Sequence, residues 1–259
     1  MTEFVVVIPA RYASERLPGK PLRELLGKPM IEHVWRRATT SPAREVVIAT
    51  DDERIAERAE QFGATVCMTA ASHPSGTDRI AEVADICDWS DDDVVVNVQG
   101  DEPLMPAPLI TQCAALLDDP AADIGTLASP FDDARDHARP DVVKALVDVD
   151  GFALYFSRAA IPYSRGASTD ELAVTTALRH HGIYAYRCGV LRALVAAPAA
   201  SLERCERLEQ LRALHLGMTI RVGIPSAPPG PGVDTADDLS RVEALLAAAL
   251  DGSDASARS

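Results

Sequence analysis

Apolar runs alternate with mixed, helix-like stretches through the first half of the chain. Phe4–Ile8, Glu45–Ala49, Thr65–Met68 and Val94–Val98 read as strands. Met30–Thr39, Asp52–Phe62, Asp78–Cys87 and Pro108–Leu117 read as helices between or after them. The runs at 4–8 and 94–98 are apolar almost throughout, as central strands covered on both faces are. Strands alternating with helices predict right-handed βαβ units, hence an α/β fold with a mostly parallel sheet and flanking helices.

Beyond Asp123 the pattern changes. Strand-like stretches at 123–128, 142–147 and 152–156 follow one another closely. A polar loop is expected over Gly166–Thr176, a strand over 180–186, a helix over Glu203–His215 and a last strand over 219–224. Pro225–Gly232 is rich in Pro and Gly and leads into a final helix from about Ala236. The tail, 251–259, is small and polar and is expected to be disordered. No repeat and no linker interrupts the pattern, so residues 1–250 are expected to form one α/β domain whose second half adds a mixed subdomain.

Composition narrows the partners. The net charge of -14 over 259 residues argues against nonspecific nucleic-acid binding, which needs a broad basic surface. It leaves room for a small anion held by a local Arg/Lys cluster, and for carboxylates that hold a divalent metal. No apolar run approaches a membrane span, and the start lacks the pattern of a signal peptide, so a soluble, cytoplasmic protein is expected. The five cysteines contain no CxxC pair, which favours buried thiols over a disulfide framework or a zinc site.

In open α/β sheets ligands bind beyond the carboxyl ends of the strands. Three segments carry candidate chemistry there. Pro9–Pro21 follows the first strand and spaces Arg11, Arg16 and Lys20 along small residues, an arrangement able to wrap a triphosphate. It is neither a Walker A loop nor a GxGxxG fingerprint, and the plain alternative is a solvated surface loop. Gln99-Gly100-Asp101-Glu102-Pro103 ends the most apolar strand. Gly100 permits a sharp turn or close approach, and Asp101 either binds magnesium carried by phosphates or caps the next segment. In Gly232–Leu239, Thr235 suits a helix N-cap, with Asp237 and Asp238 in the first turn. Asp234 remains outside the helix, a second candidate metal ligand or a purely structural residue.

With these segments on the page a resemblance becomes specific. VVIPARYASERLPGKPL, SGTDR (75–79), VNVQGDEP, ALYFSRAAIPYSR, RHHGIYAYR, LEQLR and GVDTADDL occur in the order and approximate spacing of the 3-deoxy-manno-octulosonate (KDO) cytidylyltransferases. The chain resembles that family from about residue 4 to about residue 245. Departures are small: Glu15 and His181 stand where threonine and an apolar residue are common. The resemblance implies a glycosyltransferase-A-like nucleotidyltransferase fold, a homodimer, and synthesis of CMP-KDO from CTP and KDO with Mg2+. It also implies a role in lipopolysaccharide biosynthesis in a Gram-negative cytoplasm. About 1–125 would serve the nucleotide, and about 126–250 the sugar acid and dimerisation. Arg11, Arg16 and Lys20 would hold the triphosphate, and Ala10, Gly76 and Arg79 would contact base and ribose. Asp101 and Asp234 would bind Mg2+, making Lys20, Arg11 and the two aspartates the catalytic set. Gln99, Arg158, His180, Tyr184, Glu209 and Gln210 would line the sugar-acid pocket. Another acidic sugar, 8-amino-KDO or a sialic acid, is the alternative substrate. A nucleotide-binding module without turnover is the alternative of another class.

Period-two strand geometry puts His180, Gly182 and Tyr184 on one face and His181 on the other, which supports one pocket and argues against a paired-histidine metal site. In the expected helix 203–215, Cys205, Leu208, Leu211 and Leu214 form the apolar stripe, leaving Glu209 and Gln210 to face ligand or water.

Overall fold

The computed structural model describes residues 2–13, 17–165 and 170–256. Its elements in chain order begin with β1 (Phe4–Ala10), β2 (Glu24–Leu25), β3 (Lys28–Pro29), α1 (Met30–Thr39), β4 (Glu45–Thr50), α2 (Glu53–Gln61) and β5 (Thr65–Met68). Next come α3 (Gly76–Ile86), β6 (Val94–Asn97), α4 (Ala107–Ala115), β7 (Ile124–Ser129), β8 (Lys144–Val147) and β9 (Ala153–Ser157). The chain ends with α5 (Asp170–Thr176), β10 (Leu178–Arg187), α6 (Cys188–Ala196), α7 (Ser201–Glu206), α8 (Gln210–His215), β11 (Ile220–Gly223) and α9 (Ala236–Ser256). The chain folds into two compact units. The first takes Phe4–Asp88, Asn97–Thr111 and the chain from Ala227; the second takes Trp89–Val96, Gln112–Ser226 and the first residues.

In the first unit β1, β4 and β5 pair in parallel, in register from Val5↔Glu45 to Ala10↔Thr50 and from Val47↔Thr65 to Thr50↔Met68. Phe4–Ile8 is buried along its whole length, as its unbroken apolar run requires. Helix starts follow capping chemistry. Asp52 accepts from Arg54 N at the head of α2, and Ser75 accepts from Asp78 N at the head of α3. Thr235 and Asp238 cap α9 reciprocally: Asp238 N donates to Thr235 Oγ1 at 3.2 Å, and Thr235 N to Asp238 Oδ2 at 3.0 Å. α9 runs into the small, polar tail as far as Ser256, and 257–259 lie outside the described residues.

In the second unit the strand order is β11-β7-β10-β6. β11 runs parallel to β7, and β10 antiparallel to it. β8 pairs antiparallel with both β10 and β9. The structure differs from the sequence pattern in three places here. Within the expected loop 166–176, Asp170–Thr176 is helical; Ala173 is buried, and Thr175 and Thr176 donate back to Glu171 O and Leu172 O. The first residues of that loop, 166–169, lie outside the described set. The single helix expected over 203–215 is two, α7 and α8, separated at Arg207, whose φ of 52° is left-handed. The physical reason is tertiary. At the break Glu206 O accepts from Arg158 Nε at 2.8 Å and Glu206 Oε2 from Arg158 N at 2.9 Å, so a segment remote in sequence holds the end of α7. Cys205, expected on the apolar stripe, is exposed, as is Cys87, whereas Cys67, Cys113 and Cys188 are buried. Helix α6 and the β2–β3 hairpin were not legible in the pattern.

Candidate active site

At the carboxyl end of β1 the chain leaves the sheet and returns in a short 3-10 turn, Lys20–Leu22. The excursion is closed by Gly19 N donating to Tyr12 O at 3.1 Å. The Arg54 guanidinium sits 3.4 Å from the centroid of the Tyr12 ring and is itself paired with Asp52 at 2.6 Å. Sequence reading missed this clamp, because an arginine in the first turn of α2 reads as solvated. Arg16 lies outside the described residues.

Lys20 is the centre of the site. Its ammonium donates to Asp101 Oδ2 at 2.6 Å and to Asp234 Oδ1 at 3.0 Å. The lysine side chain is 12% exposed, against 35% for Asp101 and 51% for Asp234. Burial by itself would lower the lysine's pKa; the two carboxylates outweigh it and the net shift is upward. Asp101 reaches this point because the chain after β6 continues alongside β1, with Val98 N donating to Val7 O at 3.1 Å, and then turns at Gly100. A Cβ at Gly100 would lie 2.8 Å from Pro9 O, so only glycine lets the two backbones approach this closely. Asp101 does not act as the local cap its residue type allows. A cavity of about 290 Å³ opens here, lined by Ala10, Arg11, Lys20, Gly76, Gln99 and Asp101 among others. Gln99, expected in the sugar-acid pocket, thus lines this cavity together with Ala10, Arg11, Lys20 and Gly76, and its amide lies 3.4 Å from Asn97 Oδ1.

Two arginines differ in how far they are already committed. Arg11 donates to the carbonyls of His73 (3.3 Å) and Pro74 (3.1 Å), in a loop held by Glu82 through Ala70 N and the His73 ring. Arg79 has no exposure, and its Nη1 donates to Thr69 Oγ1. Its Nε and Nη2 are buried with no hydrogen-bond partner, and so is Asp51 Oδ1. Nη2 and Asp51 Oδ1 lie 3.1 Å apart, so they attract as charges while their orientation falls short of a hydrogen bond. Orphaned donors on a buried guanidinium are costly and mark a place where an acceptor belongs.

In the second unit β10 holds two of the other expected residues, His180 and Tyr184. The pairing with β7 shifts between His181 and Tyr184: His181 faces Leu127, and Tyr184 faces Thr126. In a regular strand His180 and Tyr184 would stand about 13 Å apart. The bulge removes two residues from the ladder and brings their rings to 5.4 Å. They share a face, as period two predicts, but by way of Ala128 and Thr126 on β7. Phe156 and Tyr186 extend the aromatic row at 5.0 and 5.8 Å. Thr126 Oγ1 gives its one proton to Ile183 O at 2.7 Å, so it accepts from His180 Nε2 at 3.0 Å, leaving Nδ1 as the acceptor. His181 turns instead to Ser129 Oγ. Gln210 is buried and Glu209 partly buried, so neither simply faces water. Arg158 Nε, Nη1 and Nη2 donate to the carbonyls of Glu206, Pro140 and Arg207, the last at a long 3.5 Å. A larger cavity of about 640 Å³, lined by His137, Tyr163 and Glu171 among others, contains none of the expected residues.

A sequence profile of the cytidylyltransferases matches residues 5–220. The chain belongs to the cytidylyltransferase family. It is 43% identical to a CMP:2-keto-3-deoxy-manno-octonic acid synthetase whose structure was solved with CTP. That match covers 95% of this chain and 99% of the other, at a TM-score of 0.87. A cytidylyltransferase from Leptospira borgpetersenii serovar Hardjo-bovis (strain JB197) is 16% identical over 94% of this chain and 86% of its own, with a TM-score of 0.61. A 4-diphosphocytidyl-2C-methyl-D-erythritol synthase from Anaerococcus prevotii DSM 20548 is 12% identical over 94% and 98%, again at 0.61. These last two share the fold.

In this cytidylyltransferase, two hard oxygen donors converging on one cation position suit Mg2+, which takes one or two carboxylates and completes its shell with phosphates. Among the described residues no group of three or more His, Cys, Asp or Glu could hold a metal; Asp101 and Asp234 make a set of two. No helix among them is long and apolar enough to cross a membrane.

Burial also sets the titration of the paired histidines, pushing His180 down to about 3 and His181 to about 4. The unfolded chain binds these protons below about pH 6.5 and the folded chain does not, so stability falls with the pH between about 6.5 and 4. The urea midpoint should decline over that window, with a shallower slope in His181→Asn. An unchanged slope would show that His181 ionises as freely folded as unfolded.

Proposed function

We infer that this cytidylyltransferase transfers a cytidylyl group from CTP to KDO, giving CMP-KDO and pyrophosphate. The observation that carries the reaction is the convergence of Lys20, Asp101 and Asp234 beyond β1. The near full-length relationship to a CMP-KDO synthetase carries the substrate. In this reading the anomeric hydroxyl of KDO attacks the α-phosphorus in line and gives its proton to solvent, the new O–P bond forms, and the bond to the β-phosphate breaks with pyrophosphate leaving. Lys20 stabilises negative charge that develops on the phosphates, from a half-buried position where its charge is little screened. Mg2+ held by Asp101 and Asp234 would lower the pKa of the attacking hydroxyl and offset charge on the α-phosphate. Arg11 and Arg16 assist with the triphosphate. Ala10 and Gly76 frame the nucleotide and Gln99 stands beside them; Arg79, fully buried and outside the cavity lining in this structure, meets an acceptor of the nucleotide through Nε only when its surroundings open.

On the sugar side, His180 Nδ1 accepts from a hydroxyl, Tyr184, Glu209 and Gln210 supply further polar contacts, and Arg158 pairs with the carboxylate. Arg158 keeps N–H groups beyond its three carbonyl bonds for that purpose. A homodimer and a cytoplasmic location belong to the same proposal. The test is pyrophosphate release with CTP and a panel of KDO, 8-amino-KDO and sialic acid; faster turnover of another sugar would move the assignment to it. UTP should be a poor substitute for CTP in that assay.

Arg158→Ala should weaken KDO by roughly tenfold to over a hundredfold, the cost of one charge-assisted contact of about 1.5–3 kcal/mol. Affinity for CTP alone should stay near wild type. Calorimetric titration with each ligand reads both; loss of CTP affinity with KDO affinity retained would reverse the assignment.

A further inference from the structure

Asp234 is far from Asp101 in sequence, yet both reach the Lys20 ammonium. Three contacts hold the 227–235 loop against 99–105 within the first unit. Val233 N donates to Asp101 O at 2.9 Å. The Val233 side chain, 1% exposed, is anchored in a core with Leu17, Leu25, Met30, Val242 and Leu246, against which Leu104 packs. The third contact is backbone apposition at two glycines, and these are not equivalent. A Cβ at Gly230 would lie 2.3 Å from Leu104 Cβ and 3.2 Å from Leu104 O. The position of Cβ is fixed by the main chain and O belongs to it, so both move only with the backbone. A Cβ at Gly232 would meet Glu102 Oε1 at 2.9 Å, the far end of a flexible side chain, with Asp101 O at 3.5 Å.

We propose that Gly230 is a positioning residue for the metal-binding aspartates: its missing side chain lets the 227–235 loop close onto Leu104 and sets Asp234 against Asp101. The inference rests on the reading of Asp234 as a Mg2+ ligand. The magnitudes favour Gly230 over the nearer Gly232. A methyl at 230 forces a separation of roughly 1 Å before carbon–carbon contact becomes ordinary. Metal–ligand distances tolerate only about 0.2 Å. Asp234 follows four residues later, with Val233 pinned between, so little slack absorbs the shift. A methyl at 232 meets closely only the far end of the Glu102 side chain, so the two backbones need not part.

Mn2+ binding in the presence of CTP, followed by the electron paramagnetic resonance of free Mn2+, tests this apart from turnover. Gly230→Ala should weaken Mn2+ by about tenfold to a hundredfold, the usual cost of losing a group that orients a ligand. Gly232→Ala should bind nearly as wild type. Gly230→Ala combined with Leu104→Gly removes the 2.3 Å contact and should recover much of the affinity. If Gly230→Ala fails to fold, the double variant decides. Recovery of fold and Mn2+ binding supports the proposal, and recovery of neither overturns it. Gly230→Ala that binds Mn2+ like wild type, or Gly232→Ala that binds worse than Gly230→Ala, also overturns it. Asp234→Asn is the control for the underlying reading: if it keeps Mn2+ affinity, the metal assignment fails rather than the role of Gly230.

Discussion

Asp101→Asn and Asp234→Asn should each lose most of the turnover with KDO and CTP while remaining folded. The amide keeps the size of the carboxylate and one carbonyl acceptor, so packing is conserved and charge is removed. Lys20 would retain one carboxylate partner in each variant, which limits the structural cost. The loss falls on the cation between phosphates and protein. Taking away one preorganised electrostatic partner of a transition state costs about 2.7–4 kcal/mol, or a factor of about 10²–10³ in kcat. Steady-state pyrophosphate release at saturating Mg2+, together with a circular-dichroism melt, checks both parts. Near-normal kcat in both folded variants would remove the metal role from the pair. Loss in Asp101→Asn alone would leave Asp234 as a partner of Lys20 only, consistent with its greater exposure.

Lys20→Met should reduce kcat by a similar factor and weaken CTP, because the ammonium acts on phosphate oxygens most strongly as charge shifts toward pyrophosphate. A second consequence separates this role from a structural one. Lys20 is shared by two carboxylates, so its removal leaves two like charges facing one site. Mn2+ should then bind the nucleotide-free variant more tightly than it binds wild type, while CTP binds more weakly. Opposite changes in the two affinities cannot arise from loosened packing. If Mn2+ and CTP both weaken, Lys20 is holding the two loops together rather than serving the phosphates.

Much of the first unit was legible before the fold. The buried run Phe4–Ile8 and the capping residue Thr235 marked where elements begin and end, because those signals depend on neighbours within about four residues, whereas the Ser75 cap, which starts α3 two residues ahead of the expected Asp78, was not read. The second unit was less legible for the same reason. The break at Arg207 depends on Arg158 holding Glu206, and the approach of His180 to Tyr184 depends on a register shift against β7. Neither leaves a mark in local periodicity. The helix at Asp170–Thr176 was hidden by short length and polar composition, with burial confined to small residues.

The sequence by itself determined which residues could carry chemistry at strand ends: Arg11 and Lys20 after β1, Asp101 after β6, and Asp234 ahead of α9. It did so because strand ends and helix starts are local signals, although a solvated loop, a cap or a purely structural carboxylate would have left the same marks. Only the tertiary structure decided how those residues are used. It put one ammonium between Asp101 and Asp234, buried Nε and Nη2 of Arg79 without hydrogen-bond acceptors, spent part of Arg11 and Arg158 on backbone carbonyls, and made Gly230 rather than Gly232 the tight contact. Each is a distance between segments remote in sequence. Such distances are fixed by the packing of the whole core, in which Val233 and Met30 share one cluster, and not by any window of neighbouring residues.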